Sequence, residues 1–238
     1  MIALRDFTPR GGGGPYDLAL ASGQVLGLLC ADGGEARAFL EAAAGSRRHG
    51  GRMEILGKGR RGRDVAYAPD EPEQILFGRT GCDALRTAVA VEALGALGGG
   101  DLLDRDFLAL SSGERRRLAL AAVLGSGRPL LLFDRPTTGL DPEGQGQFWE
   151  VLRRTGACAI VAALDEREAL RCDLLLALPG RGGAQAPGEF LPVPLSRSAG
   201  WPPGEVAQIA WALIGTDAAD LETVRREVEA RWAARHLA

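Results

Sequence analysis

The stretch from Leu110 to Pro142 constrains this chain more than any other. It holds LSSGE at Leu110–Glu114, the apolar run LLLF closed by Asp134, and RPTTGLDP at Arg135–Pro142. The small residues Ser111, Ser112 and Gly113 stand before a run rich in Arg and Leu, a spacing that predicts a helix opening. Such an opening carries unpaired backbone N–H groups and the positive end of the helix dipole. Behind small residues it can admit a phosphate closely, although the same residues also make a plain N-cap. Leu130–Phe133 reads as a buried strand delivering Asp134 to its carboxyl end.

An aspartate in that place holds Mg²⁺ in P-loop nucleotide enzymes, or serves only as a turn residue. In this order the three pieces closely resemble the signature motif, Walker B strand and D-loop of ABC-type ATPases. The resemblance implies an α/β chain with the P-loop NTPase fold of ABC ATPases. Its expected parts are a RecA-like core at 1–78 and 125–195, a helical subdomain carrying LSSGE at 79–124, and a short C-terminal helical appendage at 196–238.

Composition sets the outer limits. At 238 residues, 46% of them hydrophobic and 25% charged, the chain has ample material for a core. A net charge of −3 gives no basic footprint, so no nucleic-acid partner is expected. The four cysteines, Cys30, Cys82, Cys158 and Cys172, lack CxxC spacing. They read as small buried hydrophobes in a reducing compartment. No apolar run approaches the ~20 residues of a membrane-spanning helix. The opening MIALRDF lacks a signal peptide's apolar stretch. Membrane association is therefore expected only through a partner.

Strands are expected at Ile2–Phe7, Tyr16–Ala21 and Val25–Leu29, followed by a glycine turn and a helix from Glu35 to Ala44 that stops at Gly45. Strand, glycine turn and helix is the context of a phosphate-binding loop. The chemistry departs from it. That loop needs a lysine for the terminal phosphates and a following hydroxyl for Mg²⁺. Aligned on the pattern, Cys30 stands for its first glycine and Asp32, Gly33 and Gly34 fill its turn. Glu35 replaces the last glycine, while Ala36, Arg37 and Ala38 stand for the lysine and hydroxyls. A carboxylate at Glu35 and a phosphate about 4 Å away repel by roughly 4 kcal/mol at an effective dielectric of 20. Nucleotide affinity at this loop is expected to be weak and not improved by Mg²⁺.

Further strands are expected at Arg52–Leu56 and Val65–Ala68. The second leads into Asp70-Glu71-Pro72-Glu73-Gln74-Ile75-Leu76-Phe77. This segment resembles the Q-loop of ABC ATPases, in the version found in energy-coupling-factor and cobalt/nickel-type importers, with Asp70 at the usual glutamine position. The resemblance implies that Asp70, Gln74, Leu76 and Phe77 face a membrane subunit. Without it, the segment is a proline-rich surface turn. Gly81–Gly98 and Asp101–Leu108 read as helical, Glu114–Leu124 as a buried helix, and Glu143–Arg154 as a helix entered through Pro142. Ala159–Ala163 and Asp173–Leu178 read as strands. Two amphipathic helices after Pro202-Pro203 resemble the tail of energy-coupling-factor ATPases, and equally a generic hairpin.

The family's catalytic base follows the strand aspartate, and here that place holds Arg135, a cation unable to accept a proton. The family's switch histidine falls at Leu164, followed by Asp165. The D-loop residues Leu140 and Asp141 are kept. In the family each ATP lies between one subunit's P-loop and the other's signature motif. This chain has lost the set for its own nucleotide and kept Ser111, Ser112, Gly113 and Glu114, the set presented to a partner's. Asp134, the one possible metal ligand, is an exception on the lost side.

The implied function is a degenerate ATP-binding subunit of an ABC transporter, of energy-coupling-factor type. It would pair as a heterodimer with a complete paralogous ATPase, with ATP and Mg²⁺ at the partner's site. It would lie on the cytoplasmic face of the membrane through an integral transporter subunit. The alternative is a non-enzymatic interaction or regulatory protein that retains only the fold.

Overall fold

The computed structural model describes residues 1–30, 33–162 and 166–178. In chain order its elements are β1 (Ile2–Pro9), β2 (Tyr16–Leu20), β3 (Val25–Cys30), α1 (Gly34–Ala44), β4 (His49–Ile55), β5 (Lys58–Gly59) and β6 (Val65–Ala68). Then come α2 (Gly81–Ala84), α3 (Ala88–Ala96), α4 (Ser112–Leu124), β7 (Leu130–Asp134), α5 (Pro142–Thr155), β8 (Cys158–Ala162), α6 (Glu166–Ala169) and β9 (Leu174–Leu178).

The apolar runs become one parallel sheet in the order β6-β7-β8-β3-β9. They are apolar throughout because both faces are covered. Side chains alternate between those faces. Leu131, Phe133, Ala159, Val161 and Leu175 pack with α3, α4 and α5. Leu130, Leu132, Ile160, Leu26 and Leu28 pack with α1 and the antiparallel sheet β2-β1-β4-β5. Strand β8 lies between β3 and β7, with Val25 opposite Ala159 and Asp134 opposite Ala162. The carboxyl ends of β3 and β7 therefore lie at the same edge of the sheet, where open parallel sheets bind ligands.

Helix ends follow their local chemistry. Gly45 closes α1 at φ 89, a left-handed conformation that costs glycine nothing, and its N–H donates to the Glu41 carbonyl at 2.9 Å. Asp141 caps α5, with Pro142 in the first turn.

Three expectations are corrected here. Gly81–Gly98 is not one helix. Asp83 accepts the N–H groups of Arg79 and Thr80, and Thr87 accepts that of Ala90, so two caps start two helices. Asp101–Leu108 is not an α-helix either; it contains short 3₁₀ turns at Gly100–Leu102 and Phe107–Ala109. Asp106 accepts the Leu108 N–H at 2.9 Å and pairs with Arg79, while the Phe107 N–H donates to the Arg79 carbonyl. These bonds draw the backbone toward residue 79 and away from a helical ladder. Of the cysteines, Cys158 and Cys172 are buried, but Cys82 is exposed and Cys30 only partly covered.

The expected strand end at Ala163, together with Asp32, Leu164, Asp165 and the tail from 179 onward where two helices are expected, lies outside the described residues. No helix among the described residues is long and apolar enough to cross a membrane.

Candidate functional site

Where β3 gives way to α1, Gly33 holds φ 75 at the helix N-cap. Glu35 is the acidic residue of the first turn, where a negative charge suits the helix dipole. Ala36 and Ala38 point inward and are buried. Arg37, between them, points the other way. Its Nε donates to Oδ2 of Asp134 at 3.2 Å, and its NH2 lies 3.8 Å from Asp70 Oδ2 and 3.7 Å from Glu71 Oε1.

Asp134 is 3% exposed. Burial pushes its carboxyl above the ordinary range, and the Arg37 guanidinium opposes that shift. The same bond raises Arg37. Both partners moving upward reflects burial of the acid; the direct contact with a guanidinium favours the ionised pair.

Arg135, next in the chain, adopts φ 48. A left-handed backbone costs a non-glycine residue roughly 1–2 kcal/mol. Here it directs the guanidinium to Asp70 Oδ2, with Nε 4.0 Å from Asp134 Oδ1. Asp70 is the hub of the cluster. Its other oxygen accepts from NH2 of Arg116 at 3.2 Å, and Arg116 also donates to the Pro69 carbonyl at 3.3 Å.

A magnesium ion at Asp134 would require a shell of oxygen ligands near 2.1 Å. The residues present do not fit one. The Arg37 guanidinium already sits on Oδ2, Arg135 lies beside Oδ1, and positions 37 and 38 supply no hydroxyl.

At LSSGE a helix opens, at Ser112 rather than at the expected Glu114. The Ser111 hydroxyl accepts the Glu114 N–H at 3.2 Å, and Glu114 accepts the Ser111 N–H at 2.7 Å. This reciprocal cap holds the Glu114 carboxyl down to about 2, with the Arg105 guanidinium at 2.5 Å contributing less. Ser112 is exposed, and its N–H and that of Gly113 begin the helix. The three arginines that follow each tie α4 to a different partner. Arg115 pairs with Glu73 at 2.7 Å, Arg116 with Asp70, and Arg117 with Asp141 at 2.9 Å. Leu140 is buried and Asp141 caps α5.

The segment after Asp70 forms a 3₁₀ turn at Pro72–Gln74. Ile75 and Leu76 are partly buried against the core, so they serve packing as well as any surface role. Gln74 is exposed, and Phe77 is 67% exposed. The bridge between Thr80 and Asp106 joins the chain just after this segment to the 3₁₀ turn that carries Leu108, which is 95% exposed.

Sequence reasoning missed Leu108, because a leucine in a run read as helical carries no signal of exposure. It also missed the buried hydrogen bond from Thr137 to Glu168 and the hub role of Asp70. An aspartate two positions before a 3₁₀ turn has no mark in sequence of what will pair with it.

No protein-family model matches the chain. It is 39% identical over 92 residues to the energy-coupling factor transporter ATP-binding protein EcfA2 of Lactiplantibacillus plantarum, covering 39% of this chain and 29% of that protein. It is 31% identical over 182 residues to the zinc import ATP-binding protein ZnuC of Alkalilimnicola ehrlichii, covering 69% and 68%. Among solved structures, cbiO1 from Clostridium perfringens, part of the ABC transporter complex cbiONQ, superposes with TM-score 0.67 at 19% identity, covering 89% of this chain and 95% of that one. The chain spans less than half the length of the first curated relatives it matches.

Proposed function

This chain belongs to the ATP-binding proteins of ABC transporters and has their P-loop NTPase fold; from that premise we propose that it is the non-hydrolysing member of an ATPase pair. A complete paralogue would supply phosphate loop, base and histidine. This chain would supply the α4 opening at Ser112 and Gly113 to the partner's ATP and Mg²⁺. The similarity to EcfA2, and the Glu71–Phe77 segment, favour a transporter of energy-coupling-factor type. Phe77 and Leu108 together would meet its membrane subunit, holding the pair on the cytoplasmic face.

One observation carries the reading. The ionic groups at the chain's own nucleotide position are paired with one another, while Ser111 and Ser112 at the LSSGE opening are exposed. Arg135 cannot take a proton from water. Ala36, buried at the lysine position, offers no charge to a transferring phosphate.

The test is co-purification from the native cell. A complete ATPase and a membrane subunit should copurify, and the ATPase alone should turn over slower than the pair. A second reading, an interaction protein that keeps only the fold, draws on the reciprocal cap. Ser111 and Glu114 already satisfy each other and need no nucleotide. Turnover of the partner that is indifferent to this chain would favour that second reading.

A further inference from the structure

The ionic cluster beyond the carboxyl ends of β6 and β7 does more than fail to hold a metal. Three guanidinium groups, Arg37, Arg116 and Arg135, meet three carboxylates, Asp70, Glu71 and Asp134. The members come from five places in the chain: the first turn of α1, the loop after β6, α4, the end of β7 and the residue after it. Arg37 is placed where P-loop enzymes have the hydroxyl that shares Mg²⁺ with the strand aspartate. Its charge is of the same sign as the metal's, and its Nε is 3.2 Å from that aspartate.

We infer that the Arg37 guanidinium stands in for the divalent cation, making the cluster a built-in clasp that joins the α1–β7 core to the Asp70 loop and the LSSGE helix without metal or nucleotide. A guanidinium suits this role because its planar fork can serve several carboxylate oxygens at once. Arg37 reaches Asp134, Asp70 and Glu71 together. Asp70 passes the connection on. One of its oxygens faces Arg135 and Arg37, and the other faces Arg116, which is 8% exposed in its side chain. Arg116 belongs to α4, two turns or less from the LSSGE opening. Breaking one partner of such a pair leaves the other charge uncompensated, so the members act as a unit.

The consequence concerns what α4 responds to. Where a bound metal and nucleotide would link these loops, the link would come and go with the ligand. Here the groups that form the link, ion pairs between side chains, belong to the chain itself. The LSSGE helix is held to the core in one arrangement, whichever ligand is offered to the loop after β3. This rests on reading that loop as the chain's own nucleotide position, and it does not depend on any partner.

The experiment uses the full chain and hydrogen exchange, with Mn²⁺ as a paramagnetic probe of the cation site. In the wild type, exchange over 66–78 and Ser111–Arg117 should not change when millimolar Mg²⁺ and ATP are added, and Mn²⁺ should show no binding lost in Asp134→Asn. Asp70→Asn and Arg37→Gln should each speed exchange in both segments, on the order of tenfold, while the sheet core stays protected. The double variant should be little faster than either single one, since the two remove one unit. Arg37→Ser removes the guanidinium and adds a hydroxyl, and it should gain Mn²⁺ binding that Asp134→Asn abolishes. That gain cannot come from misfolding.

Wild-type protection that rises with Mg²⁺ and ATP would overturn the inference, as would Mn²⁺ binding at Asp134 in the wild type. Unchanged exchange in both Asp70→Asn and Arg37→Gln would overturn it too. None of these results bears on whether a partner's ATPase needs Ser112 and Gly113, which turnover of the pair decides separately.

Discussion

Ser112→Asp separates folding from function at the LSSGE opening. Gly113→Asp is the more obvious variant, but a Cβ at Gly113 would stand 2.9 Å from the Gly139 carbonyl oxygen. Bulk there would push on the loop before α5 and confuse the outcome. Ser112 is exposed at the first position of α4. An aspartate at a helix start interacts favourably with the helix dipole, by about 0.3–1 kcal/mol. The isolated variant should therefore melt at the wild-type temperature or slightly above it. Against a partner's phosphate the sign reverses. Two anions about 4 Å apart at an effective dielectric of 20 repel by roughly 4 kcal/mol. At 1.4 kcal/mol per decade that is about three orders of magnitude in affinity. The assay is ATP turnover of the co-purified pair, partner wild type, beside a thermal melt of the isolated chain. Turnover should fall to the level of the partner alone while the melt holds. Unchanged turnover would show that no phosphate approaches this opening and would refute the reasoning.

Other outcomes follow from the same geometry. The chain alone should not hydrolyse ATP, and Ala36→Lys should not produce Mg²⁺-dependent nucleotide binding by calorimetry, because Arg37 still covers Asp134 and Glu35 remains in the first turn. Phe77→Asp and Leu108→Asp, both at highly exposed positions, should release the pair from its membrane subunit in a detergent pull-down without lowering the melting temperature. Glu114 is held at about 2 against an ordinary 4.5, so its contribution to stability is complete above 4.5 and is lost as pH falls toward 2. The melting-temperature gap between wild type and Glu114→Gln should close over that window. Phe133→Ala removes a fully buried ring packed edge-on against Phe148 at 5.2 Å, and should cost about 3–5 kcal/mol by denaturant titration.

Most of the architecture was legible in the chain because it is written in local signals. A wholly apolar run such as Leu130–Phe133 can satisfy its backbone and bury both faces only inside a covered sheet. Val25–Leu29, Val65–Ala68 and Ala159–Ala163 read the same way, and each lies within a residue or two of its observed strand or of the last residue described there. Gly45, Ser111 and Pro142 end or begin helices through contacts no more than four residues away. Reading failed where longer contacts outbid local propensity. Asp101–Leu108 has a helical composition, yet Asp106 bonds to Arg79, and the backbone follows that bond.

By itself, then, the sequence determined which chemistry is missing. No fold can turn Ala36 into a cation or Arg135 into a base. It also determined that a helix opens at LSSGE, although the structure starts it at Ser112, two residues before the expected Glu114, because Ser111 and Glu114 cap it reciprocally. What the tertiary structure alone decided is where the displaced charges went. Arg37 meets Asp134 across 97 positions, Arg135 meets Asp70 across 65, and Arg116 meets Asp70 across 46. Those separations carry no period and no cap. They close because the order β6-β7-β8-β3 sets the carboxyl ends of β6 and β7 and the start of α1 at one edge of the sheet, where the partly buried Asp70 and the buried Asp134 need a cation beside them.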